Sequence, residues 1–261
     1  MNKALWTAAW AAMTVLATTL SAAAAIKTET VDYKHGDTQL QGYLAYDDAA
    51  KGPRPLVLVV HEWWGLNDYA KSRARQVAQL GYVAFAVDMY GKGVLAKDAG
   101  AQAGKLWGDL ALLRGRIAAA LDAVKSDKRV DPKRIAAIGY CFGGTTVLEL
   151  ARSGAAVAGV VSFHGNLDAP KDDDAKPIKA KVLVLTGADD KSVPPSAIAA
   201  FTDEMRKAKA NYQVNIYGNA VHTFTNPAAG NDPSRNSAYN AQADKRSWQA
   251  MKDFLVEVFQ E

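Results

Sequence analysis

The residues best placed to do chemistry surround the only cysteine in the 261-residue chain. Cys141 lies in Gly-Tyr-Cys-Phe-Gly-Gly, between the small apolar run Ile135–Ile138 and the segment Thr145–Leu148. The spacing G-x-nucleophile-x-G between a predicted strand and a predicted helix is that of a nucleophile elbow, with sulfur where serine is usual. Gly139 and Gly143 let the strand and helix approach closely, because neither carries a Cβ. Such a turn lifts the sulfur above the sheet at a helix N-terminus, where the dipole favours thiolate. The N–H of Phe142 then faces the same point and is a donor for an oxyanion. The plainer alternative is a buried structural cysteine beside two helix-packing glycines.

An elbow nucleophile is followed in chain order by an acid and then a histidine. Downstream, the apolar run Val182–Leu185 ends in Gly-Ala-Asp-Asp-Lys-Ser-Val-Pro, so Asp189 and Asp190 compete for the acid. Asp190 is favoured because it opens D-x-x-V-P, in which Val193 and Pro194 pin the loop. Four histidines are present. His222 lies beyond the last predicted strand, where the general base belongs. His35 falls in a hairpin turn and is expected in solvent. His61 precedes the nucleophile, and His164 precedes the acid and is expected to line the pocket. Asp172–Asp174 reads as a solvated loop. Glu62 follows a buried strand and precedes Trp63 and Trp64, a setting that raises a carboxyl's proton affinity by desolvation; the alternative is an exposed loop acid.

The elements that must position these groups alternate along the chain. Glu29–Asp48 reads as a β-hairpin around Lys-His-Gly-Asp. Continuous apolar runs at Leu56–Val60, Val83–Val87, Ile135–Tyr140, Val157–Phe163 and Val182–Leu185, and the more mixed Tyr212–Tyr217, predict strands. Helices are predicted for Asp68–Leu80, Ala101–Lys125, Gly143–Arg152, Pro195–Lys209 and Asn240–Phe259. Strand–helix alternation implies an α/β fold with a mostly parallel central sheet of about eight strands, helices on both faces and an N-terminal antiparallel hairpin at one edge. Active sites in such sheets lie at the carboxyl ends of the strands. The longest irregular stretch, His222–Ser237, has the length of a functional loop.

Composition bounds the rest. The chain is 49% hydrophobic and 22% charged, enough for a large core. Its net charge of +4 is spread along the sequence, without the clustered basic patch a nucleic-acid surface needs. Metal-ligand spacings and phosphate loops do not occur in the sequence, so no metal and no cofactor is expected. The first 25 residues combine Lys3, an apolar stretch Ala4–Leu20 and a small-residue site Ala23-x-Ala25, as a secretory signal does. The expectation is cleavage after Ala25, a single domain over 26–261 and a periplasmic or secreted protein without a stable membrane anchor. The stretch is short for a membrane span and diluted by Thr7, Thr14, Thr18 and Thr19.

Taken together, His61–Asn67 (HEWWGLN), Val87–Gly93 (VDMYGKG), the GYCFGG elbow, GADDKSVP, VHTF and the terminal segment from Tyr239 resemble the dienelactone hydrolase family, an α/β-hydrolase family with a cysteine nucleophile. The resemblance runs from about Thr28 to Phe259. It implies a Cys141–His222–Asp190 triad, with Glu62 holding the resting thiol and taking its proton, and the N–H groups of Phe142 and Trp63 as oxyanion donors. It also implies hydrolysis of lactones or activated enol and aryl esters through a thioester acyl-enzyme, on a small-molecule substrate; separately, a monomer is expected. A thiolate leaves a tetrahedral intermediate before a poor alkoxide does, so simple alkyl esters and amides are disfavoured. In one respect the chain departs from the family, whose carboxylate-binding arginine four residues past the histidine is Asn226 here. The expectation is therefore a pocket for neutral substrates, lined by Trp63, Trp64, Tyr90, Phe142 and His164, with Asn226 beside it. The runner-up is a general periplasmic carboxylesterase. A non-hydrolytic thiol redox or binding protein on the same fold is the remaining alternative.

Overall fold

The computed structural model describes residues 25–95, 99–168 and 177–260. The expected signal segment and the acidic run 172–174 lie outside the described residues. Two ten-residue strands, β1 (Ile26–His35) and β2 (Thr38–Asp47), form the antiparallel hairpin, and β2 pairs antiparallel with β4 (Val83–Val87). The remaining strands run parallel: β3 (Arg54–Val60), β5 (Val130–Tyr140), β6 (Gly159–Phe163), β7 (Lys181–Gly187) and β8 (Tyr212–Tyr217). The sheet order is β1-β2-β4-β3-β5-β6-β7-β8. Strand β3 is buried throughout because both its faces are covered.

Period-two alternation sends side chains to two separate cores. Leu56, Leu58 and Val60 face one core, and Val57 and Val59 face the other. The second core is closed by α1 (Asp68–Gln79) and α6 (Ala241–Gln260), through Ala74, Val77, Met251 and Leu255. The first is closed by α2 (Ala99–Gly108), α3 (Leu110–Val124), α4 (Phe142–Arg152) and α5 (Pro195–Lys207), through Leu106, Leu113, Ile117, Val147, Phe201 and Met205.

Two expectations are corrected. The single helix expected over Ala101–Lys125 is two helices, α2 and α3. Asp109 leaves helical geometry (φ −139°, ψ 91°) and caps α3 by accepting from the Leu112 N–H. An N-cap bond satisfies one otherwise orphaned donor, which makes a break there tolerable. His35 is not solvated. It is half-buried against α3, where a Cβ on Gly115 would overlap the imidazole, and its Nδ1 is buried without a partner.

Candidate active site

The elbow between β5 and α4 is built as its spacing requires. Cys141 has φ 53° and ψ −114°, a conformation costly for a residue with a Cβ. A Cβ on Gly139 would collide with the Gly143 carbonyl, and one on Gly143 with the Val60 carbonyl. Phe142 is the first residue of α4, so its N–H has no intrahelical acceptor.

The loops after β5, β7 and β8 bring three groups together. His222 Nε2 is 3.1 Å from Cys141 Sγ, and its Nδ1 is 2.8 Å from Asp190 Oδ2. Asp190 is buried, and its Oδ1 accepts from the Ser192 N–H at 2.8 Å. Asp189 is exposed, and the bond to His222 is made by Asp190. Burial opposes charging of His222, but the hydrogen bonds to Asp190 and Cys141 outweigh it and push its pKa up to about 10. Both bonds thus favour the charged form of the His222 ring beside the sulfur.

Glu62 is 3% exposed. Its Oε2 accepts from Asn226 Nδ2 at 2.7 Å, and its Oε1 has no partner. Burial raises its proton affinity, against smaller opposing effects from Asn226, His222 and Arg73. Glu62 makes no hydrogen bond to Cys141 Sγ; the sulfur is taken by His222. Asn226 also caps a short 3-10 turn (Pro227–Ala229) through its Oδ1, so both ends of its side chain are occupied.

His61, which chain order rules out as the base, orients a peptide. Its Nε2 accepts from the Met89 N–H at 3.3 Å, so the proton is on Nδ1, which donates to the Glu62 carbonyl at 2.5 Å. The same peptide carries the Trp63 N–H, which in a trans peptide points the opposite way. Tyr90 Oη donates to the Trp63 carbonyl at 3.0 Å.

Cys141 and His222 open into a cleft of about 830 Å³ lined also by Trp63, Trp64, Tyr69, Asn226 and Arg235. Trp64 is 51% exposed at its rim. Tyr90, Phe142 and His164 do not line it. All three are buried behind the elbow, with Phe142 stacked on His61 and His164 bonded to the Cys141 N–H. The cleft is also lined by Arg235, a cation that the expectation of a pocket for neutral substrates did not include. Its guanidinium is exposed and forms no ion pair among the described residues. Arg235 ends a 3-10 turn (Pro233–Arg235) whose next residue, Asn236, bonds to the Lys191 N–H and to Ser192 Oγ. A bridge between His222 and Ser237 ties the same loop to the histidine. Lys92 is paired with Asp32 at the surface, and Lys105 is exposed on α2.

Residues 40–259 match the dienelactone hydrolase family. The chain belongs to that family. It is a hydrolase with the α/β-hydrolase fold. It is 29% identical over 242 residues to a putative carboxymethylenebutenolidase of Yersinia pestis, covering 88% of this chain and 87% of that protein. The structure of a dienelactone hydrolase-like promiscuous phosphotriesterase from metagenomic libraries superposes with a TM-score of 0.86 at 44% identity, covering 90% of this chain and 99% of that one. The structure of a putative dienelactone hydrolase from Klebsiella pneumoniae, at 24% identity and TM-score 0.72, shares the fold over 89% of this chain and 99% of its own.

Proposed function

We propose that this family member is exported and cleaves lactones and activated esters through Cys141, His222 and Asp190, by way of a thioester acyl-enzyme. The observation that carries the reading is the unbroken chain from Asp190 Oδ2 through His222 to Cys141 Sγ at the mouth of an open cleft. In the first half-reaction the sulfur, its proton resting on His222, attacks the carbonyl carbon. The new oxyanion is received by the Phe142 and Trp63 N–H groups, the latter aimed by His61. Collapse breaks the C–O bond, and His222 gives its proton to the departing alkoxide, which stays tethered when the substrate is a lactone. In the second half-reaction His222 takes a proton from water, the hydroxide attacks the thioester, and the sulfur leaves. Asp190 holds the imidazole in the required orientation throughout. Glu62, with a free Oε1, is the reserve proton acceptor for any molecule in which the sulfur is protonated.

Arg235 changes the expected substrate. A guanidinium without an ion pair at the cleft wall suits a carboxylate by bidentate hydrogen bonding. Trp63 and Trp64 supply an aromatic wall for the rest of the molecule. The preferred substrate is therefore a carboxylated lactone or enol ester, with neutral aryl esters also turned over. Export rests on the N-terminal pattern and predicts a mature chain beginning Ile-Lys-Thr-Glu, read by N-terminal sequencing of protein from the periplasm or medium; size-exclusion chromatography tests the monomer.

Rapid quenching of an aryl-ester reaction, followed by peptide mass analysis, tests the mechanism. One acyl group on the Cys141 peptide is expected. Turnover with Cys141 unmodified at every quench time rejects it. An aryl phosphotriester belongs in the same screen, given the activity named for the 44%-identical structure.

A further inference from the structure

Strands β5, β6, β7 and β8 lie side by side, and their carboxyl ends present Cys141, His164, Asp190 and His222 in that order. Three of these form the hydrogen-bonded chain, and the fourth, His164, sits between the nucleophile's strand and the acid's. It is fully buried, with φ 40°, a conformation held at a cost of about 1–3 kcal/mol. Its backbone N–H is tied to the Leu185 carbonyl of β7 at 2.8 Å.

The hydrogen positions around the His164 ring follow from its neighbours. The Cys141 N–H donates to the Phe163 carbonyl at 2.9 Å and to His164 Nδ1 at 3.1 Å. A backbone N–H only donates, so Nδ1 carries a lone pair and the proton is on Nε2. Nε2 then donates to Thr225 Oγ1 at 2.8 Å. Thr225 is fully buried and lies three residues past His222 in the same loop. Its hydroxyl meets Tyr69 Oη at 2.7 Å, and its carbonyl accepts from Arg73, which is in turn paired with Asp244 of α6. The His164 ring also packs edge-on against His222 and Phe224, with centroids 5.2 Å away in each case.

We propose that His164 is a positioning residue that sets the spacing of the reacting pair. One ring nitrogen holds the backbone of the nucleophile and the other holds the loop of the base, so a single rigid imidazole fixes the distance between two loops that belong to non-adjacent strands. Its rigidity is what recommends it: a planar ring with opposed acceptor and donor has no internal torsion to absorb a shift. The strut works only as the neutral ring, since a second proton would face the Cys141 N–H. Burial, with the His222 and Arg73 charges, holds the proton affinity of His164 well below that of a free imidazole.

The proposal rests on Cys141 and His222 being the reacting pair, and its test separates the two claims. Thr225→Val deletes the hydroxyl and keeps the shape. His164→Asn keeps an acceptor near the Cys141 N–H and cannot reach Thr225. Each is expected to lower aryl-ester kcat by about 10–100-fold with KM within about twofold. The double variant should be no worse than the poorer single, because both break one link. Alkylation of Cys141 by iodoacetamide, followed across pH without substrate, should slow about tenfold at neutral pH in both, as the sulfur loses its imidazolium neighbour. Variants that lose melting temperature but keep kcat and the alkylation profile would overturn the proposal. If His164→Asn does not fold, Thr225→Val decides alone. Absence of ester turnover in the unaltered protein would sink the hydrolase reading, while the alkylation profile would still judge the strut.

Discussion

The two ends of the sheet each carry a polar depression, and they are built on opposite principles. At the amino ends of β3 and β5 lies a groove of about 580 Å³ lined by Glu29, Tyr46, Asp47, Lys51, Arg54 and Arg129. Charge there is largely cancelled within the groove. Arg129 pairs with Asp127 and with Glu29, and its guanidinium lies 4.0 Å above the Tyr46 ring. At the carboxyl ends, charge is left open. Arg235 forms no close ion pair among the described residues, with only the neighbouring Asp232 near enough to feel its charge, Glu62 Oε1 has no partner, and the backbone is strained. Of the six non-glycine residues with positive φ among those described, five (Cys141, His164, Asn219, Thr223 and Asn236) lie at this end. The lesson is that volume does not separate a structural groove from a reactive one. Backbone strain does.

The comparison breaks most sharply at Cys141. Replacing it with alanine is expected to cut aryl-ester turnover by about 10⁴–10⁶-fold. Thermal unfolding should change little, because alanine keeps the Cβ and so the same backbone strain at φ 53°, and only a partly exposed sulfur is lost. Retained turnover would mean that the open end is no more reactive than the paired one.

Glu62→Gln comes next, with an expected loss of about 10²–10⁴-fold in turnover. It also separates stability from activity. The Glu62 carboxyl binds its proton more tightly folded than unfolded. The stability it confers is therefore whole below its unfolded value, ordinarily 4.5, and is lost as pH rises through the higher folded value. A neutral glutamine does not suffer that loss. The variant should melt higher than the unaltered protein at pH 8 and alike at pH 4, read by calorimetry. An equal or lower melting temperature at pH 8 would show that Glu62 is comfortably ionised.

Arg235→Gln sharpens the contrast in charge. A carboxylated lactone should lose about one to two decades in kcat/KM, and its neutral methyl ester should be turned over as before. Equal effects on both substrates would remove Arg235 from recognition. The smallest effect belongs to the closed end: Arg129→Ala should leave both rates unchanged and cost about 1 kcal/mol of stability, visible in urea melts. A drop in activity there would couple the two ends and defeat the contrast.

Much of this was legible in the sequence because local chemistry dictated it. The elbow follows from two glycines whose missing Cβ atoms leave room for backbone. Asp190 is selected over Asp189 by the Val-Pro that anchors its loop, and the hairpin and buried strands follow from apolar periodicity. What could not be read depends on contacts between distant segments. The apolar pattern runs through Asp109 without a mark, so the α2–α3 break was hidden. His35 is buried by a helix eighty residues away, through the gap at Gly115. His164 ends a strand, and only its positive φ turns the ring under the elbow and away from the cleft. Arg235 is thirteen residues past His222, and its place depends on the His222–Ser237 bridge and on Asn236 reaching the acid loop.

The hairpin has a consequence for how the protein behaves in crowded solution. A sheet that is not closed has two free edges, each a template for another chain. The β1 edge is ten residues long but exposes Lys27, Thr28, Glu29, Thr30, Asp32 and Lys34. Charged side chains along that edge disfavour a second copy laid alongside it. The β8 edge is six residues long and exposes Ile216 at 53% beside the uncharged Gln213 and Asn215. Colloidal failure at high concentration is therefore expected to start from the shorter edge, and Ile216→Lys is the change that should delay it.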